Sequence, residues 1–150
     1  MSDAQPQSLA GNQRQDAKSP RRQEPGAALD ALAHDVIGAA IEVHKTLGPG
    51  FPESIYEEAL CHELTLRGIA FERQPVVRVA YKRHACGTGK MDILVDRRLV
   101  IELKAVEAVL PKHKAQAKAN LVATGCRLAL VINFHEAVLK DGLHRVVYTP

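Results

Sequence analysis

The sequence predicts an α/β domain of the α+β kind, in which a mixed β-sheet is flanked by helices. Three segments carry apolar residues at helical spacing, and the remaining apolar runs are short and bounded by turn residues. Two of the helical segments come first, and the third lies between four strands and a final pair of strands. This order is typical of a single sheet against which each helix buries its apolar face.

The first two helices are delimited by glycine and proline. Apolar residues at helical spacing predict a first helix over about Ala28 to Thr46, which ends at Gly48-Pro49-Gly50. Pro52 suits the first position of the second helix, because an N–H at that position would have no intrahelical partner. Gly68 suits the left-handed residue that commonly follows the last helical turn.

The later elements are predicted from apolar runs and from the glycines between them. A continuous apolar run near residue 130 is typical of a central strand that is buried on both faces. The segment Arg83–Gly89 is predicted to be a loop because it contains two glycines. The predicted strands are Ile69–Arg73, Val76–Lys82, Arg127–Phe134 and Leu143–Tyr148, and the third helix is predicted over Pro111–Thr124, before Gly125.

Residues 90–104 predict a β-hairpin that places two acids on one face. Two apolar strands surround a polar three-residue turn at 96–98, so that Asp92 lies opposite Glu102. Directly opposed residues share a face with Cβ atoms about 5 Å apart, and Lys104 lies on that face as well. A two-residue turn would instead put the two acids on opposite faces. The other face is apolar throughout: Ile93, Val95, Leu99, Ile101 and Leu103.

Two opposed carboxylates on a half-buried face indicate a metal site. Like charges that face each other across a strand pair repel, and a buried charge needs a partner. Mg²⁺ or Mn²⁺ takes carboxylate oxygens, so Asp92 and Glu102 are predicted metal ligands. Lys104 would then position or activate a metal-bound water, or stabilise the charge that develops on a phosphate. The alternative is a surface hairpin in which Lys104 is the counter-ion of a structural acid pair.

Length and composition predict one domain that follows a tail. A chain of 150 residues with a hydrophobic fraction of 46% is ordinary for a single globular domain. Residues 1–28 are rich in Gln, Ser, Pro, Gly and Ala and hold almost no large apolar side chain. Such a segment buries too little surface to offset its ordering entropy, so we predict a disordered tail at 1–28 and a domain at 29–150.

Cysteine usage and charge narrow the class of protein. The three cysteines are widely spaced and form no Cys-x-x-Cys pair, which argues against a zinc site or a disulfide framework and favours a cytoplasmic location. No apolar run approaches the roughly 20 residues of a membrane span, so we expect no membrane partner. A net charge of +3 permits nucleic-acid binding without requiring it.

Several motifs together resemble those of the GxxExxY family, a group of small bacterial proteins similar to PD-(D/E)XK nucleases. Asp92, a spacer of about ten residues and then Glu102-Leu103-Lys104 match the core pattern of the PD-(D/E)XK superfamily. The segment from Gly50 to Tyr56 matches Gly-x-x-Glu-x-x-Tyr. The resemblance runs from about Leu29 to Tyr148 and implies a restriction-endonuclease-like core. Further motifs that carry it are Leu47-Gly48-Pro49-Gly50, Ala123-Thr124-Gly125 and Val131-Ile132-Asn133-Phe134.

The resemblance implies site roles for two helical residues. Glu53 would be an acid supplied by an early helix, although an acid in a first turn also complements the helix dipole. Glu57, Glu58 and Glu63 are expected to point elsewhere. Gln116 would orient Lys104 or the phosphate, and the alternative is an ordinary polar residue on a solvated helix.

The function implied is metal-dependent phosphodiester hydrolysis of DNA or RNA, with Asp92 and Glu102 on the metal and Lys104 in catalysis. A chain of this length has no added domain, so a homodimer or a protein partner is expected. The sequence departs from the superfamily at two positions. Met91 replaces the proline, and Asn120 stands where the helicase-associated branch of the superfamily often carries tyrosine. The rival is a non-catalytic module that retains the fold and binds nucleic acid or protein.

Overall fold

The computed structural model describes residues 26–150, and its first two helices cover one face of the main sheet. Helix α1 spans Ala27–Leu47 and helix α2 spans Glu53–Leu66, each within two residues of its predicted limits. Gly68 has the left-handed φ of +70° expected of a residue that ends a helix. Of the predicted tail, residues 1–25 lie outside the described residues, and α1 already begins at Ala27.

The main sheet is mixed and has five strands in the order β1-β4-β5-β6-β7. Strands β5 and β6 are parallel, and the other neighbours are antiparallel. Helix α3, Pro111–Thr124, connects the two parallel strands and ends at Gly125, as predicted. The predicted fold class is therefore confirmed. The strands are β1 Phe71–Arg73, β4 Ile93–Val95, β5 Leu99–Lys104, β6 Leu128–Asn133 and β7 Leu143–Val147, with a 3₁₀ helix at Leu139–Gly142 before β7.

A separate two-stranded hairpin replaces the loop that the sequence predicts at Arg83–Gly89. Strand β2, Val76–Tyr81, pairs antiparallel with strand β3, His84–Lys90. The prediction is wrong because its two glycines do not end a strand here: Gly89 pairs with β2, and Gly87 follows a bulge. The turn consists of Lys82 and Arg83, both with positive φ, and this geometry usually recruits Asn-Gly.

The sheet separates two apolar clusters, as the alternation along the predicted hairpin requires. The side chains of Ile93, Ile101 and Leu103 are fully buried in the cluster under α1 and α2. Val100, on the opposite face of β5, belongs to a second cluster that contains residues of α3 and of the β2–β3 hairpin. Each helix layer thus covers one face of β5. Within residues 26–150 no helix combines the length and the apolar character that crossing a membrane requires.

Candidate active site

The β4–β5 hairpin has the predicted register, and this register places two polar residues of β5. Leu94 pairs with Val100, and the turn comprises the three residues 96–98. Alternate residues of a strand share a face. Glu102 and Lys104 therefore lie on the face of Val100, toward α3.

Asp92 lies in a bend immediately before β4 rather than on a paired strand. The ladder ends at Ile93 and Ile101, one residue short of the predicted Asp92–Glu102 pair. The Asp92 carboxylate itself accepts a hydrogen bond of 2.6 Å from the backbone N–H of Leu103. This side chain takes the place that a strand carbonyl would otherwise occupy, and so the regular pairing stops here. Asp92 is thereby held at the edge of β5, beside Glu102.

Glu102 is a buried carboxylate, with 6% of its surface exposed. Burial raises its pKa to about 7, and the negative charge of Asp92 acts in the same direction. The amide of Asn120 on α3 donates a hydrogen bond to Glu102 Oε2, which stabilises the ionised form. One neutral donor does not offset the desolvation, so Glu102 lacks a full counter-charge.

Lys104 is the cation that faces these acids. Its Nζ donates a hydrogen bond of 3.3 Å to Gln116 Oε1 on α3. Its charge lowers the pKa values of Asp92, Glu102 and Glu53, and therefore its ammonium group is near all three carboxylates. Gln116, predicted to orient Lys104, is the residue that contacts it.

Glu53 approaches the same cluster from the first position of α2. Burial raises its pKa, and Asp92 is the next largest cause. Burial is also the main reason that the pKa of Asp92 is raised. The structure thus brings Glu53, Asp92 and Glu102 around Lys104, although these residues come from a helix, a bend and a strand.

The cluster opens into a cleft between α3 and the β2–β3 hairpin. The cleft is a cavity of about 330 Å³, and Glu102, Lys104 and Gln116 are among its lining residues. Its remaining lining residues come from the hairpin and from α3: Val77, Val79, Gly89, Lys90, Ala119, Asn120 and Ala123. Glu102 and Lys104 face this solvent-accessible cleft, and the charges of Asp92 and Glu53 act on Glu102. Such a group of acids and a lysine is suited to hydrolysis of a phosphate ester.

Comparison with known proteins identifies the superfamily of the chain. A family model described as the PD-(D/E)XK nuclease superfamily matches residues 30–146. The chain belongs to the PD-(D/E)XK nuclease superfamily. No curated protein and no solved structure shows significant similarity to it.

Asn120 contacts this cluster in a role that the sequence did not predict. It stands where related nucleases often carry tyrosine, and the sequence alone marks it only as a departure. In the structure its amide holds the buried Glu102. The one signal in the sequence is its spacing of four residues from Gln116, since residues at that spacing lie on one helix face.

The position of Glu57 also differs from the prediction, because we expected this side chain to point away from the core. Only 4% of its surface is exposed, and its carboxylate lies 2.7 Å from Arg73 Nε. Gln74 Nε2 donates a further hydrogen bond of 2.9 Å to the same oxygen. The charge of Glu57 raises the pKa values of Asp92 and Glu53, so it adds to the negative potential of the PD-(D/E)XK site.

Tyr56 holds the glycine-rich turn that leads into α2. Its hydroxyl donates a 2.5 Å hydrogen bond to the Gly48 carbonyl and accepts one of 3.1 Å from the Phe51 N–H. Its ring stacks on Phe134 with centroids 4.5 Å apart. In the Gly-x-x-Glu-x-x-Tyr segment, Gly50 has a positive φ of +117° and Tyr56 holds the backbone of Gly48 and Phe51, so both shape the turn. Glu53 is the residue of this segment that reaches the cluster.

Tyr56→Phe is expected to lower the free energy of unfolding by about 1–3 kcal/mol, because two backbone groups lose their partner. Thermal and urea unfolding would measure the loss. Tyr81→Phe is the control, since its ring is 65% exposed, and it should leave stability unchanged. Equal stability of the two variants would contradict a structural role for the Tyr56 hydroxyl.

Asn133 orders the loop that follows Lys104. It is fully buried, and its amide exchanges two hydrogen bonds with the backbone of Val106, of 3.1 and 2.8 Å. Phe134 N–H also donates to the Lys104 carbonyl at 2.9 Å. The Asn133-Phe134 motif therefore supports the end of β5, where the PD-(D/E)XK lysine is placed.

Proposed function

We propose that this protein is a metal-dependent nuclease that hydrolyses phosphodiester bonds in DNA or RNA. The observation that carries the proposal is that Glu53, Asp92 and Glu102 all lie near Lys104, beside an open cleft that Glu102 and Lys104 line. A structural acid pair with Lys104 as counter-ion does not require three carboxylates around one ammonium group. Membership of the PD-(D/E)XK nuclease superfamily supports the same assignment.

The donor set suits a hard divalent cation. Within residues 26–150 no group of three or more His, Cys, Asp or Glu side chains is arranged to hold a metal ion. Asp92 and Glu102 offer two carboxylates, and Mg²⁺ is usually held by one or two carboxylates together with waters and substrate phosphates. Asp92 and Glu102 would hold Mg²⁺ or Mn²⁺, with the Leu103 carbonyl as a third ligand. When bound, the cation supplies Lewis acidity and a more acidic water.

The chain's own side chains would perform the remaining tasks. The Lys104 ammonium group would stabilise negative charge on the phosphate or orient the attacking water. Gln116 would hold that ammonium group in place through the hydrogen bond it accepts. Glu53 would accept a hydrogen bond from the attacking water, since its carboxylate is near enough to Asp92 and Lys104 for their charges to shift its pKa.

We further propose that the chain is a member of the GxxExxY group within the superfamily. The division of roles within Gly50–Tyr56 supports this, because the glycine and the tyrosine build a turn that presents Glu53. We also propose a homodimer or a protein partner, which would supply the specificity that one small domain lacks. The three free cysteines support a cytoplasmic location, where thiols stay reduced.

One observation favours the non-catalytic alternative. Asn120 already binds one oxygen of Glu102, and it replaces a tyrosine that related nucleases often carry. In such a module the fold would still bind nucleic acid or protein, but added metal would not produce cleavage.

The test combines metal-dependent unfolding with cleavage assays. Mg²⁺ or Mn²⁺ is expected to raise the melting temperature of the wild-type protein and to start cleavage of supercoiled, linear or single-stranded substrates. Asp92→Asn should remove both effects, because it removes one proposed ligand. Glu107→Gln is the control, since Glu107 is an exposed acid in the segment that follows β5. If neither cation changes the melting temperature of the wild-type protein and no substrate is cleaved, the nuclease proposal is contradicted.

A further inference from the structure

The β2–β3 hairpin carries a concentrated positive charge. It contains four basic residues and no acidic residue: Arg78, Lys82, Arg83 and Lys90. Helix α3 contains three lysines and no acidic residue. These two elements hold seven formal positive charges, whereas the whole chain has a net charge of +3, so the remainder of the chain is net negative. No side chain of the four basic hairpin residues forms an ion pair with another residue in the range 26–150. This charge is therefore available to an anionic partner.

The basic hairpin forms one wall of the cleft that contains Glu102 and Lys104. Val77 is buried against α3, and Val79 and Lys90 line the cavity. Helix α3 forms the opposite wall. The hairpin therefore extends outward from the proposed catalytic residues, and it does not cover an unrelated part of the surface.

Tyr81 extends this wall at the tip of the hairpin. Alternate residues of a strand share a face, so Tyr81 lies on the same side of β2 as Val77 and Val79. The bulge does not change this alternation, since the unpaired residue, Cys86, is on β3. The Tyr81 ring is 65% exposed, and Lys82 Nζ lies 5.3 Å from its centroid. An exposed ring beside cations is the arrangement on which a nucleic-acid base stacks.

The volume of the cleft bears on whether it takes single-stranded or double-stranded nucleic acid. A cavity of about 330 Å³ is near the lower end of small-ligand pockets, which span roughly 300–1,000 Å³. A cleft of that volume holds one group of small-ligand size, such as a single nucleotide, and this favours a single strand over a duplex. Of its lining residues, Glu102 is buried and Lys104 is partly buried, so the scissile phosphate has to enter the cleft to reach them.

We propose that the β2–β3 hairpin binds single-stranded nucleic acid, with Lys82 and Arg83 on the phosphates and Tyr81 stacked on a base, and leads that strand along α3 to Glu102 and Lys104. The delivery of the strand to Glu102 and Lys104 rests on the proposed nuclease function. The binding itself rests on the charge and the exposure of the hairpin. The hairpin would restrict the substrate to single strands, and it would act through binding rather than through the chemical step.

Binding is tested on the full chain with fluorescein-labelled oligothymidylate, oligouridylate and a duplex of equal length, with EDTA present so that cleavage cannot occur. The single strands should bind more tightly than the duplex, and the tighter of the two identifies DNA or RNA as the partner. Tyr81→Ala should weaken binding roughly 5- to 150-fold, the range that loss of one stacked base produces, whereas Tyr81→Phe should retain it. Lys82→Gln with Arg83→Gln should reduce the salt dependence by about 0.7 per charge removed.

The matched control is Arg97→Gln with Arg98→Gln. It also removes two adjacent arginine or lysine charges from a hairpin turn, but these residues lie at the opposite end of β5 from Lys104. Control binding should equal that of the wild type. Unchanged binding by the Tyr81 and Lys82/Arg83 variants, equal weakening by the control, or a preference for duplex would each overturn the proposal.

Failure of this proposal can be distinguished from failure of the nuclease proposal. Single-strand binding that depends on Tyr81, without cleavage when Mg²⁺ or Mn²⁺ replaces EDTA, would overturn the nuclease function and support the hairpin's role. Cleavage by a protein whose binding does not depend on Tyr81 would overturn the hairpin's role alone.

Discussion

Glu102→Gln is expected to raise the free energy of unfolding of the metal-free protein by about 3 kcal/mol at about pH 8, and to abolish metal-dependent cleavage. The gain follows from the pKa of Glu102, which burial raises from 4.5 to about 7. Each pH unit by which the pKa of a group differs between the folded and unfolded states changes the free energy of unfolding by about 1.4 kcal/mol. Glutamine retains an oxygen that accepts the Asn120 hydrogen bond and carries no charge to desolvate.

The sign of the pH dependence follows from the raised pKa of Glu102. Below about pH 4.5 the carboxyl group is protonated in the folded and unfolded states, so its charge destabilises neither. Between about pH 4.5 and 7 the unfolded state ionises first, and the wild-type protein loses stability relative to the variant. Above about pH 7 the difference stays constant.

Urea unfolding of both proteins at several pH values in EDTA would measure this difference. Glu107→Gln removes the same charge from an exposed position, and its stability should follow that of the wild type at every pH. A Glu102→Gln protein that is less stable than the wild type at about pH 8 would show that Glu102 is held by a favourable ion pair, as the structural alternative requires.

Lys104→Met is expected to reduce the rate of cleavage by about 10²–10⁴-fold, the usual range for loss of a charge-stabilising or proton-transferring group. Metal binding should survive, because the proposed ligands Asp92 and Glu102 are intact. The metal-free protein should lose stability at about pH 8, since Lys104 lowers the pKa values of the surrounding acids. The stability changes of Lys104→Met and Glu102→Gln thus have opposite signs.

Single-turnover cleavage rates and metal-induced changes in melting temperature would measure the two effects separately. Lys45→Met is the control, because Lys45 is an exposed residue of α1, and α1 covers the face of β5 opposite to Lys104. The control should retain both cleavage and stability. A Lys104→Met protein that no longer responds to metal would place Lys104 in the structure of the metal site rather than in the chemistry.

The pattern of alternation made the β4–β5 hairpin predictable from the sequence. The five apolar residues all lie at odd-numbered positions, so they share one buried face only if the turn has an odd number of residues, and the observed turn has three. Glu102 and Lys104 are then placed by the strand period alone. The limits of α3 were equally predictable, because Pro111 and Gly125 mark its two ends.

The β2–β3 hairpin was not predictable in the same way. Its turn uses Lys82 and Arg83 at positive φ instead of glycine or asparagine, and its second strand contains two glycines and no long apolar pattern. The pairing is stabilised by Val77, which packs against α3, a helix more than thirty residues away in the chain. A contact between residues so far apart in the chain cannot be recognised from the local sequence of either one.

By itself, the sequence determined the fold class, most helix and strand positions, and the residues of the proposed site, since these depend on local period and on residue chemistry. Only the tertiary structure decided which groups support that site. Glu57 is buried and forms an ion pair with Arg73, and Asn120 donates a hydrogen bond to Glu102. Asp92 lies in a bend rather than in a paired strand, and its carboxylate accepts a hydrogen bond from the Leu103 N–H. These partners were not predictable because a buried polar group takes the nearest donor that packing supplies, and that donor comes from a distant part of the chain.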